Sequence, residues 1–212
     1  MPRTINHECL SVLLKNGADA DRAANSGATA VFISAQKNHH ECLSVLLLNG
    51  ADSDRATNSG ATAVYISAQE NSHKCMSLLL VSGADASKAK NDGVTPLHSA
   101  ANNNSFECVI LLLLPQYGVA VDAVTALGQT ALWRAAYHGH QLIAELLVQG
   151  RANIDIAANN GMTAIDIARE QGHTALVRYL DAESKWRRRG PLIMVLSSIR
   201  CAQFRQPVRS DL

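Results

Sequence analysis

Apolar residues recur along most of the chain at the spacing of a helix that buries one face. Leu43, Leu46 and Leu47 occupy positions i, i+3 and i+4, which indicates an amphipathic α-helix with its leucines toward the core. Gly50 follows shortly afterwards and suits the left-handed position at which a helix ends. The pattern therefore predicts short helices that end at glycines.

This pattern returns every 33 residues. Residues 25–36 read NSGATAVFISAQ and residues 58–69 read NSGATAVYISAQ, so they differ only in the change from Phe32 to Tyr65. Residues 8–23 match residues 41–56 with two changes. A fixed period of this length is typical of stacked repeat proteins.

Each repeat predicts a turn that leads into a helix. Gly27 can adopt the positive φ of a hairpin tip. Thr29 is placed to cap a short first helix over about residues 30–36, because its hydroxyl accepts from a free backbone N–H. In a later repeat the same start reads Thr95-Pro96, where proline suits the first helical position.

The repeated unit resembles the ankyrin repeat, in which a glycine, a Thr-Pro-Leu-His segment, an alanine pair and a Gly-His pair follow one another. The residues that carry the resemblance in three successive repeats are Gly93, Thr95, Pro96, Leu97, His98, Ala100 and Ala101; Gly128, Thr130, Leu132, Ala135, Ala136, Gly139 and His140; and Gly161, Thr163, Ala168, Gly172 and His173. The resemblance covers about residues 5–183. It implies an all-α repeat solenoid of stacked helix-turn-helix repeats with short β-hairpin loops, and a protein-binding mode of action.

The predicted organisation is a repeat array over residues 1–183 and a basic tail over residues 184–212. The array divides into a half repeat and five repeats, at 1–23, 24–56, 57–89, 90–124, 125–157 and 158–183. The third full repeat is two residues longer than the others, which predicts a larger loop and an intact stack. In the tail, apolar residues at helical spacing predict a C-terminal helix over about residues 192–199, which would shield the end of the array.

The half repeat at the start of the chain lacks its first helix. Leu10, Leu13 and Leu14 would then have no preceding helix to cover them, although terminal repeats normally present a polar outer side. Either the sequence is truncated, which we favour, or a partner covers this open end.

The candidate binding residues follow from the resemblance, because ankyrin arrays bind through hairpin tips and the exposed side of the first helix, which line a concave surface. On the first helices these are Ile33, Gln36, Lys37, Ile66, Gln69, Glu70, Asn102, Asn103, Arg134, Tyr137 and His138, and at the tips they include Ser26, Ala28, Ser59, Ala61, Asp92, Val94, Leu127 and Gln129. Tyr and Arg are enriched at binding hot spots, so Arg134 and Tyr137 are the first candidates. Ile33 and Ile66 would be exposed unless a partner covers them or they pack beside the next repeat.

One position of the unit varies in an informative way. It is His98 in the third repeat, where the family's histidine ties adjacent hairpins by hydrogen bonding. The other repeats have Phe32, Tyr65, Trp133 and Asp166, which puts that polar network in doubt. We favour stacked aromatic packing as its replacement; the other interpretation is an aromatic stripe that contacts a partner.

Four cysteines, Cys9, Cys42, Cys75 and Cys108, occupy the equivalent position of successive repeats. Adjacent repeats lie about one helix diameter apart, roughly 10 Å, whereas a disulfide needs Cα atoms within about 7 Å. These residues are therefore expected to be buried thiols that act as small hydrophobes. Free thiols indicate a reducing compartment, the cytosol or the nucleus.

A histidine precedes three of these cysteines by two residues, at His7, His40 and His73. Histidine and cysteine are zinc ligands, so the pairs raise the hypothesis of a metal site. Side chains two apart on a helix point in different directions, and the cysteine should face the core while the histidine faces water. We therefore expect no metal site.

The net charge of +1 conceals two regions of opposite charge. Residues 1–183 hold 12 basic and 17 acidic side chains, whereas residues 184–212 hold seven basic and one acidic. The acidic array argues against nucleic-acid binding, which needs clustered basic charge. Arg187, Arg188 and Arg189 could be a nuclear-import or acidic-surface patch, a membrane-surface element beside Trp186, or the solvated start of the capping helix, which we favour.

No catalytic motif stands out in the sequence. It has no glycine-rich phosphate loop, no His-Glu-x-x-His and no Gly-x-Ser-x-Gly, and no apolar run has the length of a membrane span. We therefore expect a non-catalytic, intracellular protein-binding module or adaptor with a protein partner, no cofactor and no small-molecule substrate. The alternatives are a fragment of a larger scaffold protein, or a membrane-surface or nuclear adaptor that acts through the tail.

Overall fold

The computed structural model describes residues 7–188, which form short helices joined by turns. Over this range there are eleven α-helices, one 3₁₀-helix and no β-strand. The α-helices are α1 His7–Lys15, α2 Ala30–Gln36, α3 His40–Leu48, α4 Ala63–Gln69, α5 His73–Val81, α6 Pro96–Asn102, α7 Phe106–Leu112, α8 Ala131–His138, α9 Gln141–Gln149, α10 Ala164–Glu170 and α11 Thr174–Arg188, and the 3₁₀-helix is Pro115–Tyr117.

The helices pack in two parallel rows, because each full repeat contributes one helix to each row. The first-helix row contains α2, α4, α6, α8 and α10, and the second-helix row contains α1, α3, α5, α7, α9 and α11. A continuous core of leucine, isoleucine, valine and alanine fills the space between the rows, with Leu46, Leu79, Leu112 and Leu147 fully buried. The predicted all-α repeat solenoid is confirmed.

Threonine starts every helix of the first-helix row. Thr29, Thr62, Thr95, Thr130 and Thr163 each accept a hydrogen bond from the backbone N–H three residues later, at distances of 3.1 to 3.4 Å. These bonds satisfy one of the free donors at each helix start. The cap predicted at Thr29 and the first helix predicted over residues 30–36 are both confirmed.

The hairpin tips are joined from one repeat to the next. The backbone N–H of Asn58 donates to Ser26 O of the preceding tip at 3.0 Å, and the same bond recurs at Asn91 and Asn159. Gly27 has a φ of +81°, and a Cβ at this position would lie 2.8 Å from Asn58 N, so a side chain would break the junction. Each junction has too few bonds for a ladder, and the tips are therefore turns rather than β-strands.

Two irregular turns keep the stack intact. The longer third repeat places its extra residues in the 3₁₀-helix Pro115–Tyr117, which ends at Gly118 with a φ of +58°. In the fourth repeat, Gly150 is the C-cap residue of α9 and has a φ of −72°. The next residue, Arg151, adopts the left-handed conformation with a φ of +69°. Arg151 thus takes the conformation that Gly50 has in the first repeat, where φ is +82°.

The cysteine column is buried in three of the four positions that the structure describes. Cys42, Cys75 and Cys108 are at most 3% exposed, and no disulfide links these residues. Cys9 is exposed, so the prediction of a buried thiol is wrong there. The reason is that α1 packs mainly against α3 and has no buried residue of its own.

The last helix continues past the predicted end of the array at residue 183. Leu176, Leu180 and Ser184 recur every four residues along α11 and are all buried, so the buried face of the helix extends past residue 183. Trp186 is 51% exposed on the opposite side. The predictions for Arg189 and for a helix over residues 192–199 lie outside the described residues.

Arg187 lies at the end of α11 rather than at the start of a new helix. Its Nη1 donates to Ala152 O at 2.8 Å and its Nη2 donates to Val148 O at 3.2 Å. Val148 lies in the C-terminal turn of α9 and Ala152 in the loop that follows it, and a positive charge is favourable at this end of a helix. Arg187 therefore attaches the end of α11 to the fourth repeat.

Candidate partner-binding site

The predicted contact residues all lie in the first-helix row, within α2, α4, α6 and α8 or directly after them. Lys37, Glu70, Asn103, Tyr137 and His138 are exposed, and Gln36, Gln69, Asn102 and Arg134 are half-buried. With Ile33, which is also exposed, ten of these eleven side chains are thus open to contact at least in part.

The two isoleucines differ although they occupy equivalent positions. Ile33 is 40% exposed, but Ile66 is only 5% exposed, so of the two interpretations left open by the sequence, packing beside the next repeat holds for Ile66. Helix α4 is flanked by α2 and α6, whereas α2 is the first of its row among the described residues. Ile66 therefore packs beside its neighbours, and Ile33 stays partly open.

His98 ties adjacent hairpins as the resemblance implies. Its Nε2 lies 3.0 Å from Gln129 O in the next hairpin, and its Nδ1 lies 2.7 Å from Thr95 Oγ1. A carbonyl oxygen only accepts, so Nε2 carries the proton and Nδ1 accepts from the threonine. Burial lowers the pKa of His98 to about 4, which keeps the ring neutral in this arrangement.

Trp133 preserves the same tie in the fourth repeat. Its indole Nε1 donates to Met162 O at 3.1 Å, and Met162 occupies the position that Gln129 holds one repeat earlier. The doubt about the polar network was therefore wrong for this repeat. Phe32 and Tyr65 are buried at this position without such a bond, and there apolar packing replaces it.

A first cleft of about 490 Å³ opens between the hairpin tips and helices α2 and α4. Its lining residues are Ser26, Ala28, Phe32, Thr57, Asn58, Ser59, Ala61, Tyr65, Ile66, Gln69 and Lys90. Lys90 Nζ lies 5.4 Å from the centre of the Tyr65 ring and 3.3 Å from Asp92 Oδ2. The charge at this cleft is thus already paired.

A second cleft, here called the arginine cleft, opens beside α6, α8 and the fourth hairpin. It has a volume of about 270 Å³ and is lined by Asn102, Gln129, Trp133, Arg134, Tyr137 and His138. Four of the residues predicted on the first helices come together here, from two successive repeats. The sequence predicted these four and Gln129 at the hairpin tip, whereas for Trp133, whose ring forms part of the wall, it favoured packing over partner contact.

Aromatic contacts order the wall of the arginine cleft. Trp133 and Tyr137 are one helical turn apart on α8, and their rings stack with centroids 5.6 Å apart and an interplanar angle of 15°. His138 meets the Tyr137 ring edge-on at 4.9 Å, and its Nε2 donates to Asn102 Oδ1 at 3.1 Å. Burial, followed by the nearby His140 and by Arg134, lowers the pKa of His138, which favours its neutral form.

Arg134 is the permanent cation of this cleft. Its Nε is buried and has no hydrogen-bond partner. Burial lowers the pKa of the guanidinium, while the charges of Tyr65 and Asp92 act in the opposite direction. An arginine remains charged under such shifts because its intrinsic pKa lies above about 12.

A third concavity lies on the second-helix row and was missed by the sequence reasoning. This outer groove has a volume of about 610 Å³ and is lined by His40, His73, Lys74, Ser77, Leu78, Glu107, Ile110 and Leu111. The 33-residue spacing of Leu78 and Leu111 could have indicated it. Three aliphatic residues and five polar or charged ones line it, with no tyrosine, tryptophan or arginine among them, so it lacks the hot-spot residue types of the arginine cleft.

The buried thiols of Cys75 and Cys108 offer little reactivity. Burial raises the pKa of Cys75 to about 11 and that of Cys108 to about 12, and each thiol donates to a backbone carbonyl of the preceding repeat, Ser34 O or Ser67 O. A thiol is nucleophilic mainly as the thiolate. These groups therefore act as packing residues.

Among residues 7–188 no group of three or more His, Cys, Asp and Glu side chains is placed to hold a metal ion. The pair His73 and Cys75 separates as expected, with the histidine exposed and the cysteine buried, whereas His7 and Cys9 are both exposed. No helix in this range has both the length and the apolar character needed to cross a membrane.

Comparison with protein families covers nearly the whole array. A family model described as ankyrin repeats in three copies matches residues 46–125 and again residues 112–185. A second model, described as ankyrin repeats in many copies, matches residues 6–47. Together the matches extend from the half repeat to helix α11.

Proposed function

The chain belongs to the ankyrin-repeat family, and we propose that it is a non-catalytic interaction module that binds a protein partner on the face formed by the hairpin tips and the first-helix row. Ankyrin repeats are generally protein–protein interaction modules. The family's geometry makes this face concave, and its rows of surface side chains suit an extended contact.

The observation that carries this proposal is the convergence of hot-spot residue types on one side of the array. Tyr137 is 41% exposed and stacks on Trp133, with Arg134 between them in the sequence. Tyrosine, tryptophan and arginine dominate the energetics of protein interfaces. Ile33 adds an apolar contact at the other end of the same face, where it is 40% exposed.

The free thiols support a location inside the cell. Cys42, Cys75 and Cys108 form no disulfide although they recur in successive repeats, as is typical of proteins in a reducing compartment. We place the protein in the cytoplasm or the nucleus. Localisation of the tagged full-length chain by microscopy would test this part of the proposal.

The test of the binding face compares two double variants of the full-length chain. A partner is first captured from cell extract with the wild-type chain, purified, and used to measure dissociation constants. Ile33→Asp with Tyr137→Ala changes the proposed face, whereas Leu48→Asp with Leu142→Ala changes exposed residues of the second-helix row, which are 84% and 64% exposed.

We expect the first variant to weaken binding about tenfold or more, because hot-spot truncations cost over 1 kcal/mol each. The second variant should bind within about threefold of wild type, as expected for residues outside an interface. Helical content measured by circular dichroism must be equal in both variants. The opposite ranking would move the binding face to the second-helix row.

A further inference from the structure

The arginine cleft contains a cation without a matching anion. Arg134 Nε is one of three buried side-chain atoms without a hydrogen-bond partner among the described residues, and the other two are His39 Nδ1 and Ser105 Oγ. Of the three, only Arg134 belongs to a group that is permanently charged. Native proteins satisfy nearly all buried polar groups, so each exception needs an explanation, such as an absent ligand.

The carboxylates of residues 7–188 do not supply that anion. Asp92 is the carboxylate whose charge acts on Arg134, but it accepts from Lys90 Nζ at 3.3 Å and from the Val94 backbone N–H at 3.1 Å. None of the ion pairs in this range includes Arg134. The guanidinium is therefore available to a group from outside the described chain.

The other polar groups of the cleft also favour an acceptor ligand. Asn102 uses Oδ1 to accept from His138, which leaves its Nδ2 donor without a partner among the described residues. Two donors without a partner, on Arg134 and Asn102, thus lie at the cleft, and the Gln129 side-chain amide can also donate to an acceptor there. The stacked rings of Trp133 and Tyr137 provide an apolar wall beside them, against which the methylene groups of an acidic side chain would pack.

We propose that the arginine cleft binds a carboxylate of the protein partner, held by the fork of Arg134 donors beside Asn102 Nδ2. This inference rests on the proposed function, and it specifies which chemistry the partner presents. Guanidinium and carboxylate match in a bidentate pair. A single negative charge matches the single permanent cation of the cleft, whereas phosphate groups are usually held by clusters of basic residues.

The first experiment selects ligands without knowledge of the natural partner. A random peptide library displayed on phage is panned in parallel on the wild-type full-length chain and on the Arg134→Gln variant. We expect wild type to enrich peptides with Asp or Glu at one fixed position beside apolar residues. The Arg134→Gln variant should lose that acidic position, because a neutral amide cannot replace the charged fork.

The second experiment uses one enriched peptide, synthesised with an amidated C-terminus. We expect its dissociation constant to rise about tenfold or more for Arg134→Gln and to change by less than about twofold for Leu142→Ala, an exposed control on the second-helix row. Arg134→Glu should restore binding to the peptide in which the acidic residue is replaced by lysine. A version of the peptide with a free C-terminus and a neutral residue in place of the internal acidic one distinguishes the two sources of carboxylate. Binding of this version would identify a terminal carboxylate, and loss of binding would identify a side-chain carboxylate.

Thermal unfolding separates a binding role from a structural one. If Arg134 serves the ligand, Arg134→Gln should not lower the melting temperature of the free chain, because the charge it removes is unpaired. A lowered melting temperature with unchanged peptide affinity would overturn the inference. So would enriched peptides without an acidic position, or at least tenfold tighter binding of a phosphoserine version. Failure of every library peptide to bind the wild-type chain would instead count against the proposed function itself.

Discussion

Replacing Leu46 by alanine should destabilise the array by about 2–5 kcal/mol, the cost typical of truncating a fully buried leucine. Leu46 lies in α3 and is 0% exposed. The substitution removes the equivalent of three buried carbon groups at about 0.8 kcal/mol each, which gives roughly 2.4 kcal/mol from lost burial alone. The cavity that remains between the helix rows adds the rest, because the packed neighbours relax only in part.

Urea unfolding followed by two signals is the appropriate assay. Circular dichroism reports on all helices, whereas the fluorescence of the two tryptophans, Trp133 and Trp186, reports on the fourth and fifth repeats. Each repeat of a solenoid contacts only its neighbours, so a local loss of stability need not reach the whole array. We expect the Leu46→Ala circular dichroism transition to shift to lower urea, with a smaller shift in fluorescence.

The matched control is Leu48→Ala in the same helix. Leu48 is 84% exposed, so the same chemical change should alter the free energy of unfolding by no more than about 0.5 kcal/mol. An equal loss of unfolding free energy in the two variants would show that the buried face of α3 is assigned wrongly. The two-row packing would then be wrong as well.

Two further predictions follow from the titratable groups. Burial lowers the pKa of His98 from 6.5 to about 4. Between these two pH values the unfolded chain binds a proton that the folded chain does not. The free energy of unfolding should therefore fall by about 3 kcal/mol as the pH drops from above 6.5 to about 4. The urea midpoint of the His98→Phe variant should therefore depend less on pH over the same range. The same pH dependence in the variant and in wild type would contradict the attribution of this effect to His98. Iodoacetamide at pH 8 should label Cys9 well before Cys75 in the folded chain, because burial raises the pKa of Cys75 to about 11; peptide mass spectrometry after short pulses measures both, and equal rates would mean that the array opens readily.

Several features of the repeats could be predicted from short stretches of sequence. The caps at Thr29 and Thr95, the first helix over residues 30–36 and the left-handed Gly50 all depend on residues within a few positions of one another. Such local hydrogen bonds form in the same way wherever the unit occurs. The 33-residue period then indicates that the units stack.

Burial was less predictable, because it depends on what the neighbouring repeat supplies. Ile33 and Ile66 are identical residues in nearly identical segments, yet only Ile33 is partly exposed. Cys9 and Cys42 share the same local sequence, yet only Cys42 is buried. In both cases the difference arises from the position of the helix in its row, which the segment itself does not contain.

Pairing of polar groups across repeats was also beyond local reasoning. The loss of histidine put the polar tie between hairpins in doubt, but the indole of Trp133 donates to Met162 O in its place. Likewise Asn102 and Arg134 lie 32 positions apart in the chain, and only the stacking of α6 on α8 brings them to one cleft. Whether Arg134 had a carboxylate partner could not be predicted from its own repeat.

The sequence by itself determined the family, the helices and their caps, because these follow from local hydrogen bonding and from a regular apolar period. Only the tertiary structure decided which side chains remain exposed and which charges remain unpaired. Exposure and charge pairing depend on distances between side-chain atoms of adjacent repeats, whose helices lie about one helix diameter apart. Small differences in side-chain length therefore decide whether two such groups meet. Arg134 shows the difference: its place on the first-helix row was predicted, but the absence of a partner at its buried Nε was visible only in the folded array.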